Sequence, residues 1–583
     1  MMNEKPWRES LLAGARAGHF LQAVYANSSA AREERDDLSL ELAALHNEGL
    51  VDVVAAFEGL KNSTPGGPNF FMTRHVFEKA LPHLSAPVAL IMRCVLGLCR
   101  EAGQDMAAGT IFNSYIEFCI KDAARPREAL KLIEADPDAL VDMLPATVAA
   151  GSQLDTPYYL AELLRLIRHP DIEVRRRAVF AVARIHWPKE VSVPDAVITA
   201  LEEAVVAGTD DRTLGSAIKS AFTLFEQDKV LEERIVALID AALAKGDEHT
   251  LHAASELLWH STKELPPALL QLLLTHLKRV KPGNVGTLNN IDLGIAHLLK
   301  RDDPEEGLRF LEKLLAASGG GIKLKTLDSA AHAIRESAAL TNKVLTRWFL
   351  RGERALCEAA HEVAGKSYGN DLRVEIDVSE LKPADHVHLI FVARKAIGYF
   401  FMQPVTAASV VISLMRHAPD DETFDALSEL LFNPLLLNYP GGTHDYVEEQ
   451  AGNESGKVKE AIENALAAVE QYLEVLRAVP ELPALHAGQS QRESYRRHMS
   501  ESMAESMKAA EKKSIFFGLF SRSTLLYGNK SINYIYAGDG EPSRMETPLT
   551  RHGVSMEFPR MDNIDPYGLN YLLLIFRQEQ FRT

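Results

Sequence analysis

Three stretches, spaced a little under forty residues apart, repeat one local pattern, and that recurrence constrains the architecture more than any other feature of the chain. Ala178 lies in "VRRRAVFAV", Ala217 in "DDRTLGSAIKSAFTLF" and Ala254 in "GDEHTLHAASELLWH", 39 and 37 residues apart. The second and third open on Asp or Gly-Asp, the first follows Asp171, and each runs into a helical pattern with small residues on one side. Between them sit other amphipathic stretches, "DAVITALEEAVVAG" (195–208) and "LEERIVALIDAALAKG" (231–246). A helix pair recurring at a period of ~40 predicts an α-solenoid. One pair cannot bury its own apolar face, so it stacks on the next, and small residues let the helices approach closely.

The first of these stretches, "HPDIEVRRRAVFAVARI" (169–185), resembles the second-helix signature of a HEAT repeat through Pro170, Asp171, Val174, Arg175, Ala178, Ala181 and Ile185. The resemblance implies that the proline starts the bend and the aliphatic residues fill the core. It also implies that Asp171 and Arg175 bridge adjacent repeats. The next two matches are partial, and beyond about residue 265 the pattern continues as helix pairs of unequal length. The resemblance covers about a quarter of the chain firmly and two thirds loosely.

From Trp7 to about Pro480 nearly every segment reads as helix, with apolar residues at spacings of three and four broken by Gly, Pro, Asn and Asp. The exception is "LRVEIDVS" (372–379), a short hairpin arm or an extended linker. Four regions are expected: a helical 1–150, a HEAT-like solenoid over 151–450, long amphipathic helices over 451–522 and a small α+β unit over 523–583. In the last, "TLLYGNKSINYIY" (524–536) reads as a hairpin turning at Gly528-Asn529, and "RMETPLTRHGVSMEFP" (544–559) as a second turning near His552-Gly553. Asp565 followed by Pro566 caps a final apolar helix or strand. The fold class is therefore mainly α: a solenoid of HEAT-like helix pairs with a small α+β unit at its C-terminal end.

At 583 residues with a net charge of −17, the chain can bury a long core but repels nucleic acid and anionic membrane at long range. Cys94, Cys99, Cys119 and Cys357 are too few for a disulfide framework and show no paired spacing for a metal, so they read as small core hydrophobes. No apolar run approaches the ~18 residues of a membrane span, and the N-terminal "MMNEKPWRES" lacks a basic start before an apolar stretch. These features predict a cytoplasmic protein.

Motifs for chemistry fail one by one. "AGNESGKVKE" (451–460) is one residue short of a phosphate loop, has Val after its Lys457, and follows no strand. His249, His252 and His260 lack a zincin glutamate, and His386 and His388 are alternate residues, which on a helix do not share a face. No Gly-x-Ser-x-Gly occurs. "SIFFGLFSR" (514–522) after a lysine-bearing helix could lie on a membrane, but reads better as packing beneath the terminal unit. No catalytic residue, cofactor or metal is assigned.

Two basic groups remain as candidate partner or phosphate contacts: Arg176, Arg177 and Arg184 in the repeat region, and Lys530, Arg544, Arg551 and Arg560 near the C-terminus. The first could meet DNA phosphates, since HEAT-like arrays include DNA-alkyl glycosylases. The second could meet an acidic partner. The leading expectation is a non-catalytic protein-interaction scaffold whose terminal unit docks partners. Its alanine-rich composition suggests a bacterial source, and analogy at the level of the fold suggests a multi-protein defence or regulatory system. The alternatives are a nucleic-acid-binding array, marked by a continuous basic stripe, and an enzyme with converging groups near Asp385, His386 and His388.

Overall fold

Helix starts follow the capping chemistry of the residues. Asp171 accepts hydrogen bonds from the backbone N–H of Glu173 and Val174 at 2.7 and 3.1 Å, and Asp210, Asp420 and Asp565 cap their own helices in the same way. The computed structural model describes residues 6–28, 32–62, 67–103, 105, 107–187, 192–208, 210–260, 265–317, 321–365, 371–381, 386–480, 488–514, 530–535, 543–548 and 557–581. These residues are mainly helical and divide into two compact units, Met1–Glu336 and Ser337–Thr583. The boundaries expected at 150, 450 and 522 fall inside the units.

The first unit begins with α1 to α5 (Pro6–Arg16, Phe20–Ser28, Arg32–Asn47, Val53–Glu58 and Phe70–Ala80). It continues through α6 (Val88–Ala102), α7 (Ile111–Ile120), α8 (Ala124–Ala135), α9 (Pro137–Leu140) and α10 (Leu144–Leu154). Ten helices follow, of which the first six pack as pairs: α11 (Thr156–Leu166) with α12 (Ile172–Ala181), α13 (Asp195–Ala207) with α14 (Asp211–Gln227), and α15 (Glu232–Lys245) with α16 (Glu248–His260). Then α17 (Pro267–His276) packs on α16, α18 (Val285–Leu299) and α19 (Glu305–Ala317) pack on each other, and α20 (Asp328–Glu336) packs on α18.

Within this run α12, α14, α16, α18 and α20 pack each on the next, as do α11, α13, α15 and α17. Ala178, Ala217 and Ala254 are all fully buried. The close approach is quantitative: a Cβ on Gly294 of α18 would sit 2.6 Å from Leu258 Cγ of α16, and one on Gly215 would sit 3.0 Å from the His249 oxygen.

Polar links join each pair to the next. Asp211 accepts from the N–H of Asp247 and His249, both at 2.7 Å, and so caps α16 from the neighbouring pair. Asp292 does the same for α20 through Ser329 and Ala330, at 2.9 and 2.8 Å. Ion pairs connect the other row: Arg168 with Glu203 and Arg234 with Glu202, each 2.7 Å. The bridging residues are thus not those the HEAT resemblance implied. Asp171 serves its own helix, and among the described residues Arg175 reaches the oxygen of His169 in its own turn, at 3.5 Å.

The second unit comprises α21 (Ala338–Arg351), α22 (Arg354–Ala364), α23 (His386–Phe400), α24 (Pro404–Met415), α25 (Asp421–Leu430), α26 (Gly442–Asn453), α27 (Gly456–Ala478) and α28 (Gln489–Lys513). Then come β1 (Lys530–Ile535), β2 (Ser543–Pro548), α29 (Met561–Ile564) and α30 (Pro566–Gln578). The segment around 372–379 is an extended linker, not a hairpin arm. Its N–H groups alternate between helices: Val374 and Ile376 donate to Ser409 and Ser413 Oγ of α24, each at 2.9 Å. Glu375 and Asp377 donate to Asn342 Oδ1 and Thr346 Oγ1 of α21, each at 3.0 Å.

One arm of each expected hairpin is described, and these two arms pair with each other. Strands β1 and β2 pair antiparallel with Lys530 opposite Pro548 and Ile535 opposite Ser543, so each takes the other as partner. The two turns predicted at Gly528-Asn529 and His552-Gly553 lie outside the described residues, as do residues 515–522 of the aromatic stretch. The final apolar stretch is a helix, α30, capped by Asp565 as expected and packed on α23.

Candidate functional site

The repeat-region arginines are mostly neutralised. Arg176 pairs with Glu173, and Arg177 pairs with Asp142. Arg165 bonds Glu162 at 2.7 Å and also Glu134. Arg184, by contrast, has its guanidinium over the Phe180 ring, 5.8 Å from the centroid. The stripe that phosphate binding would need is therefore interrupted by carboxylates.

Arg177 and Arg184 instead meet at a cavity of about 350 Å³ in the first unit. Its walls are α6, α7, α10 and α12 with the turn Val182–Arg184 that follows α12. α10 packs on both α7 and α12, and it presents Ala146 and Ala149 where larger side chains would fill the gap between Phe112 and Phe180. Arg100 joins the two arginines at the wall, and Asp142 is the one carboxylate there. Cys99 also lines it; burial pushes its thiol pKa up, against the pull of Arg74 and Arg100. Sequence reading named Arg177 and Arg184 but missed Arg100 and the cavity, because the four helices span residues 88 to 184 with no shared local motif.

In the second unit Lys530 and Arg544 share Glu546, with Lys530 Nζ at 2.8 Å. Arg560 is half-buried, with its guanidinium 5.6 Å from the Tyr472 ring centroid and its N–H bonded to the Asn438 oxygen at 3.2 Å. Arg551 lies outside the described residues. The three described members of the expected basic group are thus two paired side chains and one packing residue.

The enzyme alternative gains nothing here. His388 stacks on Phe581 with centroids 3.9 Å apart, and Asp385 lies outside the described residues. His252 pairs with Glu256 at 3.4 Å, His260 stacks on Trp259, and Arg212 Nε donates to His249 at 3.3 Å. The near phosphate-loop segment is a turn between α26 and α27, with Lys457 bound to Asp421. Burial pushes the thiols of Cys94 and Cys357 up to about 12 and that of Cys119 to about 11, which keeps them protonated and unreactive. Sequence reading overlooked His444, Asp445 and Glu448, whose ligand atoms lie within 4.8 Å of one another at the start of α26. The two carboxylates are exposed, and among the described residues no further group joins them.

Two apolar surfaces stand uncovered. Every residue of α28 is exposed, yet Tyr495, Met499, Met503 and Met507 follow one another at intervals of four and are 66, 52, 70 and 62 % exposed. Residues four apart stack along one side of a helix. On α30, Leu569, Leu573 and Phe576 are buried, while Tyr567, Tyr571, Leu574 and Ile575 face solvent. Nothing in the sequence separates a covered stripe from an uncovered one.

Comparison with known proteins adds little. No family model matches the sequence, and no curated protein matches it. Among solved structures, the crystal structure of an engineered protein aligns with 80 % of this chain and 99 % of its own, at 14 % identity and a TM-score of 0.17. A score that low carries no argument about fold or function. No helix among the described residues is long and apolar enough to cross a membrane.

Proposed function

We propose that this chain is a protein-interaction scaffold without chemistry of its own, built on an α-solenoid of HEAT-like helix pairs and docking a partner through its C-terminal part. The observation that carries this reading is the fully exposed α28 with its Tyr-Met-Met-Met stripe. A helix of 25 residues in water draws most of its stability from packing an apolar face. Methionines adapt to varied partner surfaces, and each contributes roughly 1.5–3 kcal/mol when buried. The stacked rows α12 to α20 and α11 to α17 support the solenoid. The carboxylates paired with Arg165, Arg168, Arg176 and Arg177 weigh against the nucleic-acid alternative. The alanine-rich composition fits a bacterial, cytoplasmic multi-protein assembly.

The test is a nuclease-treated pull-down of the tagged full chain, beside a variant carrying Met499→Ser, Met503→Ser and Met507→Ser. A stoichiometric protein partner retained by the parent and lost by the variant is the expected result. Recovery of nucleic acid alone, or a partner indifferent to the three substitutions, overturns the reading.

A further inference from the structure

The cavity of the first unit has a composition at odds with the rest of the chain. The protein as a whole carries a net charge of −17, yet the cavity wall bears three guanidinium groups, Arg100, Arg177 and Arg184, against one carboxylate, Asp142. That carboxylate is engaged by Arg177. Among the described residues neither Arg100 nor Arg184 has an ion-pair partner. Arg177 goes further: its Nε is buried without a hydrogen-bond partner. A buried donor left unsatisfied costs about 1–3 kcal/mol, and an acceptor held by the neighbouring guanidinium nitrogens would offset part of that cost by drawing negative charge toward the same side chain.

Apart from Asn113 at the rim and Cys99, the remainder of the wall is apolar. Leu96, Phe112, Ile116 and Phe180 surround the space, and Ala146 and Ala149 form a small-residue floor. A volume of about 350 Å³ lies in the range of small-molecule sites, which pair an apolar lining with a few convergent polar groups. The two properties together select a ligand with one anionic head and one apolar, flat or aliphatic body.

We propose that the cavity between α6, α7, α10 and α12 binds a small amphipathic organic anion. Its carboxylate, sulfonate or phosphate head meets Arg100, Arg177 and Arg184, and its apolar body lies between Phe112 and Phe180. Arginine is suited to the head because its planar donor fork binds such oxyanions in bidentate fashion. Phe180, already under the Arg184 guanidinium, holds that side chain toward the cavity wall. No bond is made or broken; the site is a binding site, and its occupancy would stiffen the junction between α10 and α12, where the helix pairs begin.

The probe is 8-anilinonaphthalene-1-sulfonate, a sulfonate on an aromatic body, with N-phenyl-1-naphthylamine as its uncharged analogue. Binding is read by fluorescence titration on the full chain. Two variants act from the surface: Arg100→Gln with Arg184→Gln removes charge from exposed positions, and Asn113→Trp fills the cavity from its exposed rim. Unchanged urea midpoints establish that the variants fold.

The expected result is saturable binding of one sulfonate probe per chain. It weakens at least about tenfold in the double arginine variant and is lost in Asn113→Trp. The uncharged analogue is insensitive to the arginine changes. Probe binding that persists in both variants reports the uncovered faces of α28 and α30 and overturns the proposal. So does an equal response of the charged and uncharged probes to removing the arginines, or no saturable binding by the parent chain.

Discussion

The Nζ of Lys395 lies 2.7 Å from the main-chain oxygen of Arg577, and Arg577 Nε in return lies 2.5 Å from the oxygen of Gly398. Lys395 is 1 % exposed, and burial pulls its pKa down. The exchange ties the last turn of α30 to α23, where a cation also complements the carbonyl end of the helix. Arg394 and Glu579 add an ion pair at 3.1 Å.

Lys395→Met is expected to remove the donor of the part-buried Arg577 oxygen and to cost about 1 kcal/mol, concentrated at the C-terminal helix. Amide hydrogen exchange across residues 566–578 reads this directly. Faster exchange there with little change in the first unit is the expected outcome, and unchanged protection of α30 removes the lock from the account.

Two glycines within helices make opposite predictions. Gly294→Ala places a methyl 2.6 Å from Leu258 Cγ, so α16 and α18 must part, at a cost of about 1–3 kcal/mol. Gly97→Ala meets no atom within 4 Å and gains helix propensity, so it is neutral or stabilising by up to about 1 kcal/mol. Urea midpoints of the two variants should move in opposite directions or differ clearly in size. Equal shifts would show that close packing at Gly294 is not what holds the residue there.

The linker of the second unit depends on hydroxyls instead of a neighbouring strand. Ser409→Ala and Ser413→Ala each strip the acceptor from a buried N–H, that of Val374 or of Ile376. Each should cost about 1–3 kcal/mol, against a few tenths for an exposed serine such as Ser506. Thermal unfolding of the three single variants settles the comparison.

Stability should fall in alkali. An unfolded cysteine loses its proton near pH 8.5, whereas Cys94 and Cys357 keep theirs up to about 12 and Cys119 up to about 11. Above about pH 8.5 the native chain holds more protons than the unfolded chain. The contribution, complete below that pH, is then lost by about 1.4 kcal/mol per pH unit for each thiol. On the acid side the sign reverses for Glu256. Burial opposes its charge, but hydrogen bonds from His252 and Lys219 prevail and hold its pKa at about 2. Its contribution is present above the usual carboxylate range and fades as pH falls toward 2. Urea midpoints under reducing conditions should form a plateau near neutrality that declines at both ends, and a flat profile to pH 10.5 contradicts the thiol argument.

Much of the helical framework was legible in the residues. The starts at Asp171, Asp210 and Asp565 and the small positions Ala178, Ala217 and Ala254 follow from capping and from the 3.6-residue period. Both are set by neighbours within a few positions along the chain. Pairing was not legible. Whether Arg177 is a free cation or the partner of Asp142, 35 residues away, depends on the packing of α10 against α12.

The same limit separates what the sequence alone determined from what the tertiary structure decided. Helix content, capping, the near-forty-residue recurrence and the inertness of the cysteines were local or compositional, and the chain could be read for them one stretch at a time. The pairing of β1 with β2, the linker held by Ser409 and Ser413, the cavity lined by three arginines and the uncovered stripe of α28 were not. Each joins residues far apart in sequence, or turns on whether an apolar face finds cover. An amphipathic pattern states that a face can be buried; only the folded arrangement decides whether anything buries it.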